Sequence, residues 1–182
     1  HSVMRLREIG LEPNLLVCRT ESNHHLTPKL KKKLGLFCNV ETDHVFESPD
    51  VETIYEIPLV LNQQKFDDII IQKLGLKVGA HAESLNILEN YIDRFKHPKH
   101  TVTIAMCGKY NSLQDAYKSI IEAFIHAGIE NETHVKVKWV DTEKLESEGK
   151  EDVVFQQVDG ILIPGGFGDR GIEGKIRASR YA

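Results

Sequence analysis

Short apolar runs separated by amphipathic segments characterise the first part of the chain. Leu15–Cys18, Leu36–Val40 and Val45-Phe46 are too short to be helices, and each predicts a strand, the first of them fully buried. Thr27 is a good helix cap, and the proline that follows it suits the first helical position, so a helix is predicted over about Pro28–Leu34. Alternating short strands and helices favour a parallel sheet covered by helices.

Helical periodicity dominates the following stretch. Ser48–Glu52 repeats the pattern of a cap followed by proline and predicts a helix start, and helical segments follow at Leu59–Gln64 and Phe66–Leu74. Apolar residues spaced by one turn between 85 and 95 predict a further amphipathic helix. The polar segment His97–His100, interrupted by proline, is typical of an interdomain linker.

From Thr101 onward the pattern is strand, helix, strand, helix, strand, which is the start of a doubly wound sheet. The predicted elements are strands at 102–107, 135–139 and 160–163, and helices at 113–127 (ended by Gly128), 142–148 and 171–182. The predicted fold class is therefore α/β with two parallel-sheet pieces. We expect one domain over residues 1–83, a helix and linker over 84–100, and a second domain over 101–182.

Composition narrows the function classes. The 182 residues include 23 Lys+Arg and 27 Asp+Glu, which leaves a formal net charge of −4 and no broad basic surface for nucleic acid. No stretch approaches the roughly 20 apolar residues of a membrane helix. The three cysteines are far apart, which favours buried thiols in a reducing compartment, and the nine histidines form no metal motif. Because the chain opens on His1 and its last helix lacks a cap, we expect a piece of a longer protein.

The segment Pro164–Gly171 follows a predicted strand directly and carries four glycines in its last seven residues. Glycines at the carboxyl edge of a sheet can form a nest of main-chain donors for an anion or an oxyanion, although a tight turn would also need them. Gly166, Gly168 and Gly171 also match the dinucleotide fingerprint, so a dinucleotide-binding Rossmann oxidoreductase stays open. A non-catalytic α/β interaction module is the third hypothesis.

Basic residues near the predicted first sheet offer further candidates. The lysine run 29–33 is typical of a solvated helix face, but Lys33 leads into the predicted strand and could bind phosphate there. Arg19 follows a strand, where its guanidinium could stack on a base or simply close the strand at the surface.

Several strings, in order over nearly the whole chain, resemble the CTP synthase family, the ligases that aminate UTP to CTP with ATP and glutamine. They include Leu16-Val17-Cys18-Arg19, Leu36-Phe37-Cys38-Asn39-Val40, Asp50-Val51…Ile54-Tyr55, Gly108-Lys109-Tyr110 and Asp159–Gly168. The family has a Rossmann-like amidoligase (synthetase) domain followed by a flavodoxin-like class I glutamine amidotransferase domain. The resemblance implies that this chain is the end of the first domain, a linker and the start of the second.

The resemblance also implies roles for individual residues. Lys33 and Phe37 match positions at the UTP or CTP site, and Arg19, Pro49, Asp50 and Val51 match the segment around the ATP adenine. Pro49 departs from the lysine often found there, so only backbone contacts carry over. Gly166 matches the glycine whose N–H contributes to the glutaminase oxyanion hole, and Gly165, Gly166 and Phe167 shape the glutamine pocket.

Other family properties follow by implication only. Mg²⁺ is expected with ligands upstream of His1, and the nucleophilic cysteine with its His and Glu partners downstream of Ala182, so the 182 residues alone are expected to be inactive. GTP is expected as an allosteric activator. A cytoplasmic homotetramer that binds neither nucleic acid nor membrane is the implied assembly.

Overall fold

The computed structural model describes residues 1–21, 23–77, 82–109, 114–166 and 168–182. They form two compact units, His1–Ile92 and Asp93–Ala182, each of which is described by itself. No helix in the described ranges is both long enough and apolar enough to cross a bilayer.

Unit 1 is built on two parallel strands, β1 (Leu16–Thr20) and β2 (Val45–Pro49), with Leu16 opposite Val45 and Thr20 opposite Pro49. Val45 and Phe46 are almost fully buried, and the Phe46 ring meets Phe66 edge-on with centroids 4.9 Å apart. The helices are α1 (Ser2–Glu8), α2 (Pro28–Cys38), α3 (Ile57–Gln63), α4 (Phe66–Leu74) and α5 (Ala82–Lys96), with 3₁₀ turns at Thr42–His44 and Ile54–Glu56.

The predicted strand at Leu36–Val40 is wrong, because α2 continues through Cys38. Thr27 caps the start of α2 as predicted, and Asn39 ends it in a left-handed conformation (φ 52°) with its N–H donated to the Gly35 carbonyl. Leu36 and Phe37 are 81% and 70% exposed, so this apolar run does not mark a buried strand.

Two further predictions for unit 1 are corrected. β1 is not fully buried, since Val17 is exposed. The helix start predicted at Ser48–Glu52 is wrong, because Pro49 is the last residue of β2. The first helical turn begins instead after Thr53, which forms a capping box with Glu56.

Unit 2 has a parallel sheet in which β3 (His100–Gly108) lies between β4 (Thr133–Asp141) and β5 (Gly160–Leu162). Its helical elements are a 3₁₀ turn at Gln114–Tyr117, then α6 (Lys118–Glu130), α7 (Thr142–Glu148), α8 (Glu151–Val154) and α9 (Ile172–Tyr181). The α/β class with parallel sheets is thereby confirmed. The helix end predicted at Gly128 is wrong: this glycine is buried inside α6, where a Cβ would collide with the Thr133 carbonyl.

Close backbone packing fixes α9 against the start of α7. Thr142 is fully buried and donates its hydroxyl to the Gly108 carbonyl at the end of β3, 3.4 Å away. A Cβ on Gly171 would collide with the Thr142 hydroxyl, and one on Gly174 would collide with the Thr142 carbonyl. Glycine at both positions therefore lets α9 approach the carboxyl end of the sheet.

This packing predicts the effect of Gly174→Ala on stability. Alanine is favoured over glycine in a helix by about 1 kcal/mol, but overpacking typically costs about 1–3 kcal/mol, and the obstacle here is backbone rather than a flexible side chain. We expect a net fall in the free energy of unfolding, measured by urea denaturation. Gly165→Ala is the control, because nothing lies within 4 Å of its added Cβ. A Gly174→Ala protein as stable as the wild type would contradict the proposed contact.

Candidate functional site

At the carboxyl edge of the two-stranded sheet of unit 1, Arg19 and Asp50 form an ion pair. The Nε and Nη2 atoms of Arg19 lie 3.3 and 3.2 Å from Asp50 Oδ1, and the Asp50 N–H donates to the Thr20 carbonyl at 2.9 Å. The Arg19 side chain is 87% exposed. An exposed pair typically contributes about 0–1 kcal/mol to stability, so this contact matters chiefly because it places the guanidinium beside the Asp50 carboxylate. Four residues were predicted to surround adenine. The structure brings Arg19 and Asp50 together beside Pro49, and Val51, the next residue after Asp50, is half-buried.

Lys33 and Phe37 lie one turn apart on α2. Lys33 Nζ is 6.0 Å from the centroid of the Phe37 ring, the outer limit of a cation–π contact. Lys33 is therefore a helical residue, and the prediction that it leads into a strand is wrong. An exposed ring beside an ammonium group suits a ligand that carries both a planar base and phosphates.

Sequence reasoning missed the carboxylate that organises this edge. Glu47 on β2 accepts hydrogen bonds from the Thr20 hydroxyl at 2.8 Å and the Leu26 N–H at 3.2 Å, and its other contact is His25 Nδ1 at 2.8 Å. Burial alone would raise the pKa of Glu47, but these hydrogen bonds and the His25 charge outweigh it and hold the pKa below its ordinary value. Glu47 thus ties the loop that follows Arg19 to β2. An acidic residue directly after the buried Val45-Phe46 pair was the available signal.

In unit 2, the glycine-rich segment leaves the carboxyl end of β5. Pro164 is buried, Gly165 and Gly166 are exposed, and Gly168 has a positive φ of 81° that suits glycine. Phe167, predicted to shape the glutamine pocket, lies outside the described residues. Exposed main chain at this edge is what a donor nest for an oxyanion requires.

Two lysines that sequence reasoning did not assign to this segment flank it. Lys109, directly after β3, donates to the Gly168 carbonyl at 3.5 Å, and Lys175 on α9 donates to the Pro164 carbonyl at 2.9 Å. A Cβ on Gly166 would lie 3.4 Å from both Lys109 Cε and Lys175 Nζ. Their ammonium groups favour negative charge beside Gly166.

Cys107 and Cys18 do not have the properties of a nucleophile. Burial in the core of unit 2 raises the pKa of Cys107 to about 11. The pKa of Cys18 is also raised, chiefly by burial and then by Cys38, with a smaller opposing effect of Lys31. Both thiols are protonated at neutral pH, and the thiolate is the reactive form.

Comparison with known proteins identifies the class. The family model described as CTP synthase N-terminus matches residues 1–76, and the one described as glutamine amidotransferase class-I matches residues 112–182. The two matches thus follow one another along the chain, the CTP synthase N-terminal region first and the class-I amidotransferase region after it. It belongs to the CTP synthase family.

Individual relatives support this assignment along the whole chain. The CTP synthase of Caldanaerobacter subterraneus subsp. tengcongensis is 47% identical over 182 residues, which is 100% of this chain and 33% of the relative. That of Methanocaldococcus jannaschii is 46% identical over 187 aligned residues, which is 100% of this chain and 34% of the relative. The chain therefore spans about a third of the length of the curated relatives it matches.

A solved structure, described as the Trypanosoma brucei CTPS glutaminase domain with bound acivicin, is also similar. The two sequences are 36% identical over the matched region, which covers 43% of this chain and 31% of the solved chain, and the TM-score is 0.40.

The Glu47 network predicts an acid-dependent change in stability. Because the folded-state pKa is lowered, its stabilisation is fully present above the unfolded pKa of about 4.3 and is lost as pH falls through the folded pKa. Glu47→Gln should lower the free energy of unfolding by about 1 kcal/mol at pH 7, and the difference from wild type should shrink below pH 4. Urea denaturation at several pH values measures this. Exposed Glu52→Gln is the control, and a pH-independent difference would contradict the role of the charge.

Proposed function

We propose that this chain is part of a ligase that aminates UTP to CTP with ATP, using ammonia released from glutamine. Residues 1–83 would be the end of the synthetase domain, and residues 101–182 the start of the amidotransferase domain. What supports this most is the exposed Gly165–Gly166 main chain at the carboxyl end of β5, in a chain that matches CTP synthases from end to end.

Unit 2 would contribute to glutamine hydrolysis. Attack of a nucleophile on the glutamine amide places negative charge on the carbonyl oxygen, and a main-chain N–H already aimed at that oxygen stabilises the transition state. Gly166 would supply this N–H, and Gly165 and Phe167 would line the glutamine pocket. The buried Cys107 thiol is unsuited to the attack. We assign the nucleophile and its His and Glu partners to the part of the family's length outside these residues.

Unit 1 would bind the two nucleotides. Lys33 would contact the phosphates of UTP, or of CTP as inhibitor, with Phe37 beside the same site. Arg19 would stack against or border the ATP adenine, with Pro49, Asp50 and Val51 along its edge. The oriented, exposed guanidinium of Arg19 supports this assignment. ATP would then phosphorylate O4 of UTP, and ammonia would displace phosphate at C4.

The described residues do not fit the Mg²⁺ that this reaction requires. Among them, Glu41, Asp43 and His44 form the group whose ligand atoms lie within 4.8 Å of one another, but they precede β2, at the opposite end from Asp50. Mg²⁺ prefers oxygen ligands, whereas His44 in this group offers nitrogen. The Asp50 carboxylate is already paired with Arg19. Through the family, we propose that Mg²⁺ is held by residues in the part of the family's length that this chain does not cover. Activation by GTP, assembly as a homotetramer and a cytoplasmic location belong to the same proposal through the family.

Lys33→Ala in the full-length enzyme should weaken UTP and CTP alike, because one ammonium group would face the same triphosphate in both. A hydrogen bond to a charged group contributes about 1.5–3 kcal/mol, or about 10- to 150-fold in affinity, measurable by isothermal titration calorimetry. Lys32→Ala is the matched control, since Lys32 is the neighbouring lysine of α2 and is also exposed. UTP and CTP affinities within twofold of wild type would mean that Lys33 is only part of a solvated face.

Gly166→Pro in the full-length enzyme should damage glutamine hydrolysis, because proline lacks the donor. Loss of one such donor typically costs about 10²–10³ in kcat. Gly166→Ala is the control: it keeps the N–H, and its Cβ would meet only the flexible ends of Lys109 and Lys175. CTP formation from added ammonium salt should stay within a few-fold for both variants. Equal loss of glutamine- and ammonia-dependent synthesis in a folded Gly166→Pro protein would refute the assignment.

A further inference from the structure

Lys175 makes a long-range contact to the segment that carries Gly166. It lies in the first turn of α9, and its half-buried side chain reaches back eleven positions to donate to the Pro164 carbonyl at 2.9 Å. Pro164 is buried and is the last residue before the exposed glycine pair. The contact therefore joins α9 to the glycine-rich segment at Pro164, directly before its exposed residues begin.

The helix that carries Lys175 is held firmly in place. Gly174, its neighbour, packs backbone to backbone against Thr142, and Gly171 packs against the Thr142 hydroxyl. Thr142 in turn donates to Gly108 at the end of β3. The position of the Lys175 backbone is thus set by the sheet and not by the loop.

Anchoring the Pro164 carbonyl also restrains the amide that follows it. In a trans peptide the C=O and the next N–H point in opposite directions, so a carbonyl held toward α9 keeps the Gly165 N–H pointing away from α9. Gly165 and Gly166 have no Cβ to restrict their dihedral angles, so the loop has little local stiffness of its own. The held peptide plane directly before them sets the direction of the Gly165 N–H and the point from which the chain continues to Gly166.

We propose that Lys175 is a positioning residue for glutamine hydrolysis: its ammonium holds the Pro164 carbonyl so that the Gly165–Gly166 main chain keeps its donors turned toward the oxyanion. This rests on the proposed function of Gly166. Lys175 acts through the loop and forms no bond to glutamine, and its charge, next to Gly166, adds to the attraction for the developing anion.

The test uses the full-length enzyme with Lys175→Met, which keeps the length of the side chain and removes the donor and the charge. We expect kcat for glutamine hydrolysis to fall about tenfold, less than for loss of an oxyanion donor itself, with KM for glutamine within about twofold. CTP formation from ammonium salt should be unchanged. Lys175→Arg, which can still donate to the carbonyl, should recover most of kcat. Arg180→Met, at an exposed position of the same helix, should behave as wild type.

The possible results separate this inference from the proposed function. Glutaminase kcat within twofold of wild type in Lys175→Met overturns the positioning role, as does an equal loss in Lys175→Met and Lys175→Arg. A parallel fall of ammonia-dependent synthesis and of the unfolding midpoint indicates a structural role only, and also overturns it. If Gly166→Pro is impaired while Lys175→Met is not, this inference alone fails. If Gly166→Pro is fully active, the oxyanion role fails and the inference with it.

Discussion

Parallel strand pairing is the constraint on which both units depend. In a parallel pair the carboxyl ends of neighbouring strands meet at one edge, so residues far apart in sequence reach the same place. In unit 1 this brings Arg19, at the end of β1, to Asp50, just after β2. In unit 2 it brings Lys109, after β3, to the glycine segment after β5. Every site residue that we assign to a loop lies at such an edge.

Four of the five glycines of 164–174 divide into two pairs with different physical roles. Gly171 and Gly174 are buried, and each gives up a side chain so that α9 can approach Thr142. Gly165 and Gly166 are exposed, and a Cβ would meet either nothing or only flexible side-chain ends there. Packing thus explains Gly171, the third glycine of the dinucleotide fingerprint, without any ligand. Packing does not explain why Gly165 and Gly166 are glycines, whereas a need for accessible main-chain donors does.

Much of the fold followed from sequence, where local and tertiary preferences agree. The helix predicted around 142–148 coincides with α7, and in the structure the Asp141 side chain caps its start and Thr142 is fully buried. The strand predicted at Leu36–Val40 failed because a short apolar run does not distinguish a strand from the last turn of a helix. Asn39 and the tight approach of Gly35 to Val40 decide the matter, and neither is visible as periodicity. Pro49 was misjudged for a related reason: at the last position of a strand its missing N–H breaks no necessary ladder bond, so it need not start a helix.

The site was predictable to a smaller extent than the fold. Glycines directly after a strand indicate a functional loop at the carboxyl edge of the sheet. The side chains that restrain such a loop, however, come from other elements, which contact it only in the folded structure. Lys109 precedes the loop by more than fifty residues, whereas Lys175 follows it on a helix whose position depends on the contact with Thr142. Glu47 likewise acts through Thr20, His25 and Leu26, which the sequence separates from it by more than twenty residues. Residues that act by orienting others carry no motif of their own, and the geometry that gives them a role exists only once the sheet edge has formed.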